Sequence, residues 1–150
     1  SIETLVKSYS DHKFVIPVHP NPNVKCKIYS RLGEYENVYL LKPLDYPYLV
    51  YLMKNAKLIL TDSGGIQEEA PSFGCPTLVM RYETERQEGI DAGVSVLVGA
   101  EYDKIVSYSS EILSKTREET RLKTLNPYGK GDSSETIERI IREYFTKEMV

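Results

Sequence analysis

The sequence predicts an α/β fold in which a doubly wound parallel sheet is covered by helices on both faces. Two observations favour this class. Short apolar runs, typical of buried strands, alternate along the chain with segments in which apolar residues recur at helical spacing. Polar segments, most of them rich in glycine or proline, directly follow four of these runs, and in such sheets ligands bind beyond the carboxyl ends of the strands.

The predicted strands are the apolar runs at residues 14–18, 38–41, 58–61, 77–80 and 95–98. Helices are predicted where apolar residues recur every three to four positions, in segments 2–9, 24–32, 49–56, 105–113 and 137–145. Asp45 is a candidate N-cap for the third of these helices, and Tyr29 is expected to face inward from the second. The last helix carries an amphipathic stripe, formed by Ile137, Ile140, Ile141, Tyr144 and Phe145.

The composition is that of a soluble globular protein, and residues 1–150 suit one domain with a single core. The net charge of −3 argues against a nucleic-acid surface. No apolar run approaches the roughly 20 residues of a membrane helix, and no signal peptide is evident. Cys26 and Cys75 lack metal-site spacing, so we expect both to be buried thiols in a reducing cytoplasm. The chain begins with Ser1 rather than Met, and we expect it to be an excised piece.

The segment "TDSGGIQEE" follows the third predicted strand and opens a helix. The first turn of a helix has unpaired N–H groups and a positive partial charge, and glycines let a phosphate approach them closely. Ser63 adds a hydroxyl donor beside Gly64 and Gly65. The pattern is neither a P-loop nor a dinucleotide fingerprint, so a tight turn capped by Asp62 or Ser63 remains the alternative. Pro71 is expected to end or kink this helix.

Two carboxylates follow one turn later. Glu69 lies four residues after Gly65 and therefore on the same helix face, roughly 6 Å along the axis, where it can accept hydrogen bonds from ribose hydroxyls. The alternative is a solvated helix surface. On position alone, Glu69 is the predicted ligand and Glu68 a surface residue.

Other polar segments follow the strands and are expected along the same sheet edge, at residues 19–23, 42–48 and 81–86. His19 begins a stiff proline-containing turn with Asn21, and Arg86 can bind a phosphate in bidentate geometry. A solvated salt-bridged loop is the alternative for residues 81–89. The loop at 126–132 can cover a ligand or serve as a plain connection. We find no Ser–His–Asp order, CxxC, HExxH or paired metal ligands, and no cofactor is predicted.

The long segment "LILTDSGGIQEEAPSFGCPTLVMRYETERQEGIDAG" resembles the C-terminal half of non-hydrolysing UDP-N-acetylglucosamine 2-epimerases, and "PVHPNPNV" and "NPYGKGDSS" are similar to other signatures of that family. The resemblance implies a GT-B fold of two Rossmann-like domains with a UDP-sugar between them, of which this chain is the second domain. It also implies a cytoplasmic isomerase of nucleotide-sugar metabolism that supplies cell-surface polysaccharide synthesis and interconverts UDP-GlcNAc and UDP-ManNAc.

By motif match, Ser63, Gly64 and Gly65 hold the diphosphate, Glu69 takes the ribose hydroxyls, and Arg86 faces the phosphate or sugar. His19 and Asn21 match a signature that reaches the interdomain cleft, where some bacterial members bind a second, activating UDP-GlcNAc. The family's aromatic residue beside the uracil corresponds to Leu49 here, so the contact becomes aliphatic or moves to adjacent residues. The candidates for the uracil contact are therefore Leu44, Tyr48 and Leu49.

The resemblance further implies that the main acid and base groups lie on an N-terminal domain that this chain lacks, so the 150 residues alone are expected to be inactive. A homodimer is implied for the full-length enzyme. Two alternatives remain open from the sequence: the corresponding half of a hydrolysing epimerase, and a non-catalytic module that binds UDP-sugars.

Overall fold

A computed structural model describes residues 1–123 and 126–148, so four residues of the predicted 1–150 domain lie outside the description. The strands are β1 (Phe14–Pro17), β2 (Val38–Leu41), β3 (Ile59–Thr61), β4 (Thr77–Val79) and β5 (Ser95–Leu97). The helices are α1 (Ile2–Ser8), α2 (Pro22–Leu32), α3 (Tyr46–Asn55), α4 (Gly64–Glu69), α5 (Gln87–Asp91), α6 (Tyr102–Leu113), α7 (Arg117–Thr120) and α8 (Ser133–Glu148).

All the described strand pairs are parallel, and a helix connects each strand to the next along the chain. β1 pairs with β2, and β4 lies between β3 and β5. In the second ladder Leu60 lies opposite Leu78, which lies opposite Val96. The predicted α/β class with parallel strands is therefore confirmed, and the predicted strands are recovered to within one residue at either end.

One apolar core lies under both ladders. It is centred on Leu5, Leu78, Val98 and Ile105, each at most 4% exposed. Phe14 of β1 and Leu60 of β3 pack against the same cluster, as do several other partly buried side chains. Because α1 and α6 contribute to this cluster, the first helix and the long helix after β5 contact each other beside the strands.

The helix after β3 ends where the proline requires it to. α4 stops at Glu69, a 3-10 turn follows at Ala70–Phe73, and Gly74 closes the turn with a φ of 64°. Pro71 has no N–H for the helical ladder, and only glycine enters the left-handed region at no steric cost. The chain then enters β4 directly, as the sequence predicts.

Several local expectations are wrong. Cys26 is exposed, whereas Cys75 is buried and burial raises the pKa of its thiol to about 12. Tyr29 is also exposed, and Leu32 is the one residue of α2 that is buried. Asp45 occupies the N-cap position of α3, but its side chain makes no capping hydrogen bond.

Two short helices, α5 and α7, were not predicted, because four or five residues are too few for a periodic apolar pattern. α7 is specified instead by a capping box. Thr116 Oγ1 accepts from the Glu119 amide, and the Glu119 carboxylate accepts from the Thr116 amide. This local motif was readable from the sequence as a threonine followed three residues later by a glutamate.

The apolar stripe on α8 is present as predicted, but the described residues leave it exposed. Every described side chain of α8 is exposed, and the five stripe residues are each at least half exposed. The stripe has the width of a core-facing helix surface, yet the described part of the chain leaves it exposed. Within residues 1–123 and 126–148, no helix is long and apolar enough to cross a membrane.

Candidate functional site

The turn between β3 and α4 presents unpaired backbone donors. Ser63 is the N-cap of α4, and its own amide donates to Thr61 Oγ1 at 3.0 Å. The N–H groups of Gly64, Gly65 and Ile66 have no hydrogen-bond partner within the described part of the chain. The Ser63 hydroxyl makes no capping bond either. The first turn of this helix therefore offers three amides and a hydroxyl to an anion.

The Arg86 guanidinium lies directly against this turn. A Cβ built on Gly64 would lie 2.9 Å from Arg86 Cζ and 3.0 Å from Arg86 Nη2. A Cβ on Gly65 would have only the Ser63 hydroxyl nearby, at 4.0 Å. The first glycine of the pair thus makes room for Arg86, and the second leaves the turn open. This distinction between the two glycines is absent from the sequence pattern.

Two carboxylates form ion pairs with the guanidinium. Arg86 Nε donates to Glu68 Oε1 at 2.8 Å, and Nη1 donates to Glu85 Oε2 at 3.1 Å. The hydrogen bond with Glu68 raises the pKa of Arg86, and the bond to its own amide lowers the pKa of Glu85, with a further contribution from Arg86. Glu68, whose side chain is 44% exposed, is therefore also a partner of Arg86, which its expected assignment as a surface residue did not include. Among the described residues Nη2 has no hydrogen-bond partner, and it faces Gly64.

A buried amide joins the Arg86 segment to α4. Gln67 is 1% exposed; its Nε2 donates to Ser63 O at 3.2 Å, and its Oε1 accepts from Thr84 Oγ1 at 2.8 Å. Thr84 Oγ1 in turn accepts from the Arg86 amide at 3.1 Å. Sequence reasoning missed Gln67 because a glutamine on a helix after two glycines has no pattern of its own.

Glu69 lies on the same helix and contacts a tyrosine from another strand end. Tyr46 Oη donates to Glu69 Oε2 at 2.8 Å, and this bond to the carboxylate raises the pKa of the phenol. Because Tyr46 follows β2, the contact brings the β2–α3 connection next to α4, although β2 and β3 belong to different ladders. Tyr46 is not among the residues predicted for the site.

The three residues expected near uracil differ in their exposure to solvent. Leu44 and Leu49 are partly buried, and Tyr48 is 65% exposed. No side-chain hydrogen bond among the described residues involves Tyr48. The aromatic residue that reaches the Glu69 carboxylate is Tyr46, two positions earlier.

His19 and Asn21 form a local turn of their own. The Asn21 amide donates to His19 Nδ1 at 3.2 Å, and Asn21 Oδ1 accepts from the Asn23 amide at 2.9 Å as the N-cap of α2. Both residues are exposed. In the described ranges neither makes a hydrogen bond to Ser63, Glu69 or Arg86, so the structure does not bring them into the cluster around α4.

The loop at 126–132 binds to the back of the Arg86 segment. Tyr128 Oη donates to Arg86 O and accepts from the Gly89 amide, both at 3.0 Å. Asn126 Nδ2 donates to Glu68 O at 2.9 Å and to the Ser72 hydroxyl at 2.7 Å. Burial raises the pKa of Tyr128. This loop therefore binds the Arg86 segment and the end of α4, a role that its sequence did not reveal.

The assembled site suits a ligand that combines an anion with hydroxyl groups. Unpaired amides and Arg86 Nη2 lie at the start of α4, and a carboxylate lies one turn further on. No group of three or more His, Cys, Asp or Glu residues within the described segments is arranged to hold a metal ion.

Comparison with known proteins adds an independent line of evidence. The profile of a family described as UDP-N-acetylglucosamine 2-epimerase matches residues 1–142. A relative from Salmonella typhimurium, a UDP-N-acetylglucosamine 2-epimerase, is 48% identical over 133 residues, which cover 88% of this chain. The chain is also similar to the crystal structure of UDP-GlcNAc 2-epimerase from Neisseria meningitidis bound to UDP-GlcNAc, with a TM-score of 0.88 and 43% identity over 95% of the chain.

A more distant structure has the same fold. The Methanocaldococcus jannaschii UDP-GlcNAc 2-epimerase, in complex with UDP-GlcNAc and UDP, superposes with a TM-score of 0.80 at 33% identity over 95% of this chain. The fold is thus that of one Rossmann-like half of a GT-B protein. The chain spans only 35% of the Salmonella relative and 38% of each of the two solved chains.

Proposed function

Because this chain belongs to the UDP-N-acetylglucosamine 2-epimerase family, we propose that it is the C-terminal, UDP-binding domain of an enzyme that interconverts UDP-GlcNAc and UDP-ManNAc. In that reaction the C2 proton is removed as the C1–O bond to UDP breaks, which leaves a 2-acetamidoglucal. A proton then returns to the opposite face of C2, and the UDP oxygen forms the C1 bond again. UDP is both the leaving group and the returning nucleophile, so the enzyme must hold it throughout.

The observation that carries this proposal is the placement of Arg86 against Gly64. Three unpaired amides, the Ser63 hydroxyl and Arg86 Nη2 converge on one turn. These donors match the oxygens of a diphosphate, and in the reaction they stabilise the negative charge that develops on departing UDP. Glu69, held by Tyr46 through one oxygen, keeps its other oxygen for a ribose hydroxyl.

The rest of the nucleotide is assigned by motif match. Leu44, Tyr48 and Leu49, at the start of α3, form the uracil side of the site. His19 and Asn21 extend from the same sheet edge after β1 and serve the cleft toward a second domain. Their separation from the Arg86 cluster agrees with a contact that involves the other domain.

The division of labour between two domains is part of the proposal. Relatives are more than twice as long as this chain, and the site described here contains binding groups without a proton-transfer pair. The exposed stripe on α8 supports a packing partner outside the chain, for which we assign the N-terminal part of the family protein. The family-length protein is expected to be a homodimer, and the 150-residue chain alone is expected to lack epimerase activity.

Binding of UDP to the chain itself is the direct test. A ligand that binds only the folded state adds about 2.7 kcal/mol to the free energy of unfolding at a concentration 100 times its Kd. UDP at millimolar concentration is therefore expected to raise the melting temperature, whereas inorganic phosphate at the same concentration serves as the control for the anion alone. Equal melting temperatures with and without UDP would contradict the proposal.

A further inference from the structure

Arg86 is a long side chain whose own ion pairs do not suffice to hold it. Glu85, one of its two partners, is 73% exposed, and Glu68 is 44% exposed. Ion pairs at such exposed positions contribute little, because water competes for both charges. The guanidinium nevertheless lies against Gly64, so other contacts contribute to its position. Two of them are on the Arg86 backbone: Tyr128 Oη donates to Arg86 O, and Thr84 Oγ1 accepts from the Arg86 amide.

Three hydrogen bonds connect Ser63 O to the Arg86 amide through the side chains of Gln67 and Thr84, and we call this chain the Gln67–Thr84 relay. Only one assignment of donors and acceptors is possible along it. Ser63 O can only accept, so the Gln67 nitrogen must face it and the Gln67 oxygen must face Thr84. Thr84 therefore donates its single hydroxyl proton to Gln67 and accepts from the Arg86 amide. The relay connects the carbonyl of the helix N-cap to the backbone of Arg86 through a side chain that is 1% exposed.

We propose that Gln67 and Thr84 are positioning residues for UDP binding, which set the distance between the Arg86 guanidinium and the amides at the start of α4. The inference rests on the proposed function and deepens it. Neither residue need touch the ligand. The relay fixes the Arg86 segment before UDP arrives, so less conformational freedom is lost when the diphosphate binds.

If the relay acts only through Arg86, its loss should weaken binding of the diphosphate and leave binding of the nucleoside unchanged. Thr84→Val is nearly isosteric and removes both hydrogen bonds, whereas Thr84→Ser keeps the hydroxyl. Loss of about 1 kcal/mol of preorganisation predicts about fivefold weaker UDP binding for Thr84→Val. Binding of uridine, which has no phosphate, is expected to remain unchanged, and Thr84→Ser is expected to bind UDP nearly as the parent chain does.

The experiment titrates UDP and uridine into the 150-residue chain and its variants by NMR, which measures weak affinities as well as strong ones. The Thr84→Val change is made both in the parent chain and in an Arg86→Ala background. If the relay acts through Arg86, Thr84→Val has no further effect once Arg86 is gone. Gln67→Asn, which shortens the amide by one methylene, is the second variant and is expected to show the same selective loss of UDP affinity.

The outcomes distinguish a failure of the positioning role of Gln67 and Thr84 from a failure of the proposed UDP-binding function. If the parent chain binds UDP and Thr84→Val weakens UDP and uridine equally, the relay is merely structural and the inference is overturned. The same holds if Thr84→Val and Arg86→Ala have additive effects. If the parent chain does not bind UDP at all, the proposed function itself is overturned, and the inference with it. Melting temperatures of all variants confirm that folded proteins are compared.

Discussion

The phenolic hydroxyl of Tyr46 donates a hydrogen bond of 2.8 Å to Glu69 Oε2, which joins the connection after β2 to the helix after β3. Tyr46 begins α3 after β2, and Glu69 ends α4 after β3. The bond uses one of the two carboxylate oxygens and orients the other. A single contact thus couples the α3 end of the site to the carboxylate that we assign to the ribose.

Removal of the carboxylate is expected to weaken UDP binding more than removal of its partner. Glu69→Ala loses charge-assisted hydrogen bonds to the ribose and should weaken UDP about thirtyfold, for a loss of about 2 kcal/mol. Tyr46→Phe should cost about fivefold, because only the orientation of Glu69 is lost. Glu68→Ala serves as the comparison and should weaken UDP less than Glu69→Ala. Equal affinities for the two glutamate variants, measured by titration, would contradict the assignment of Glu69, rather than Glu68, to the ribose.

The two glycines of the turn are expected to respond differently to the same substitution. A methyl group at position 64 would lie 2.9 Å from Arg86 Cζ, so Gly64→Ala should displace the guanidinium and shift the NMR resonance of its Nε–H group. Gly65→Ala adds a methyl group that, apart from adjacent residues and the backbone of its own helix, meets no described atom closer than the Ser63 hydroxyl at 4.0 Å, so it should leave that resonance in place. Gly65→Ala is also expected to raise the free energy of unfolding by up to about 1 kcal/mol. An unmoved Arg86 resonance in Gly64→Ala would refute the contact.

The Tyr128 hydroxyl is expected to contribute to stability in a pH-dependent way. Tyr128→Phe removes two hydrogen bonds, one donated to Arg86 O and one accepted from the amide of buried Gly89. Because that amide also donates to Arg86 O at 3.2 Å, it keeps a partner, and the free energy of unfolding should fall by about 1–2 kcal/mol. Burial raises the pKa of this phenol above its unfolded value, so its contribution is complete below the unfolded pKa and disappears as the pH rises through the folded pKa. The difference between the parent chain and Tyr128→Phe should therefore shrink at alkaline pH.

Denaturant unfolding at neutral and alkaline pH measures this difference. Tyr82→Phe is the matched control, because its hydroxyl makes no hydrogen bond among the described residues and its side chain is 70% exposed. A constant difference between the parent and Tyr128→Phe across the pH range would mean that ionisation of Tyr128 does not weaken the loop.

The stripe on α8 is expected to matter little to the stability of this chain alone. Ile141 is 50% exposed, so Ile141→Lys should change the free energy of unfolding by less than about 0.5 kcal/mol. Ile105→Lys, at a site 4% exposed in the core, should prevent folding because it buries an unpaired charge. In the family-length protein, Ile141→Lys is expected to impair packing of α8 and lower the melting temperature. A large loss of stability in the short chain would show that α8 packs within it.

The strand pattern and the residue types at the strand ends were readable from local sequence. Apolar runs of four or five residues predicted all five strands to within one residue, and "TDSGG" predicted the turn with unpaired amides. These features depend on the chemistry of neighbouring residues, and adjacent positions in the chain report them directly.

The pairings between distant segments required the tertiary structure. Arg86 lies 22 positions after Gly64, and Tyr46 lies 23 positions before Glu69, so neither partner was visible in a local pattern. Glu68 and Glu69 have the same charge and adjacent positions, yet one holds Arg86 and the other Tyr46. Parallel strands joined by helices bring such remote residues to one edge, and the packing of the helices, which many weak contacts set together, decides which side chains meet there.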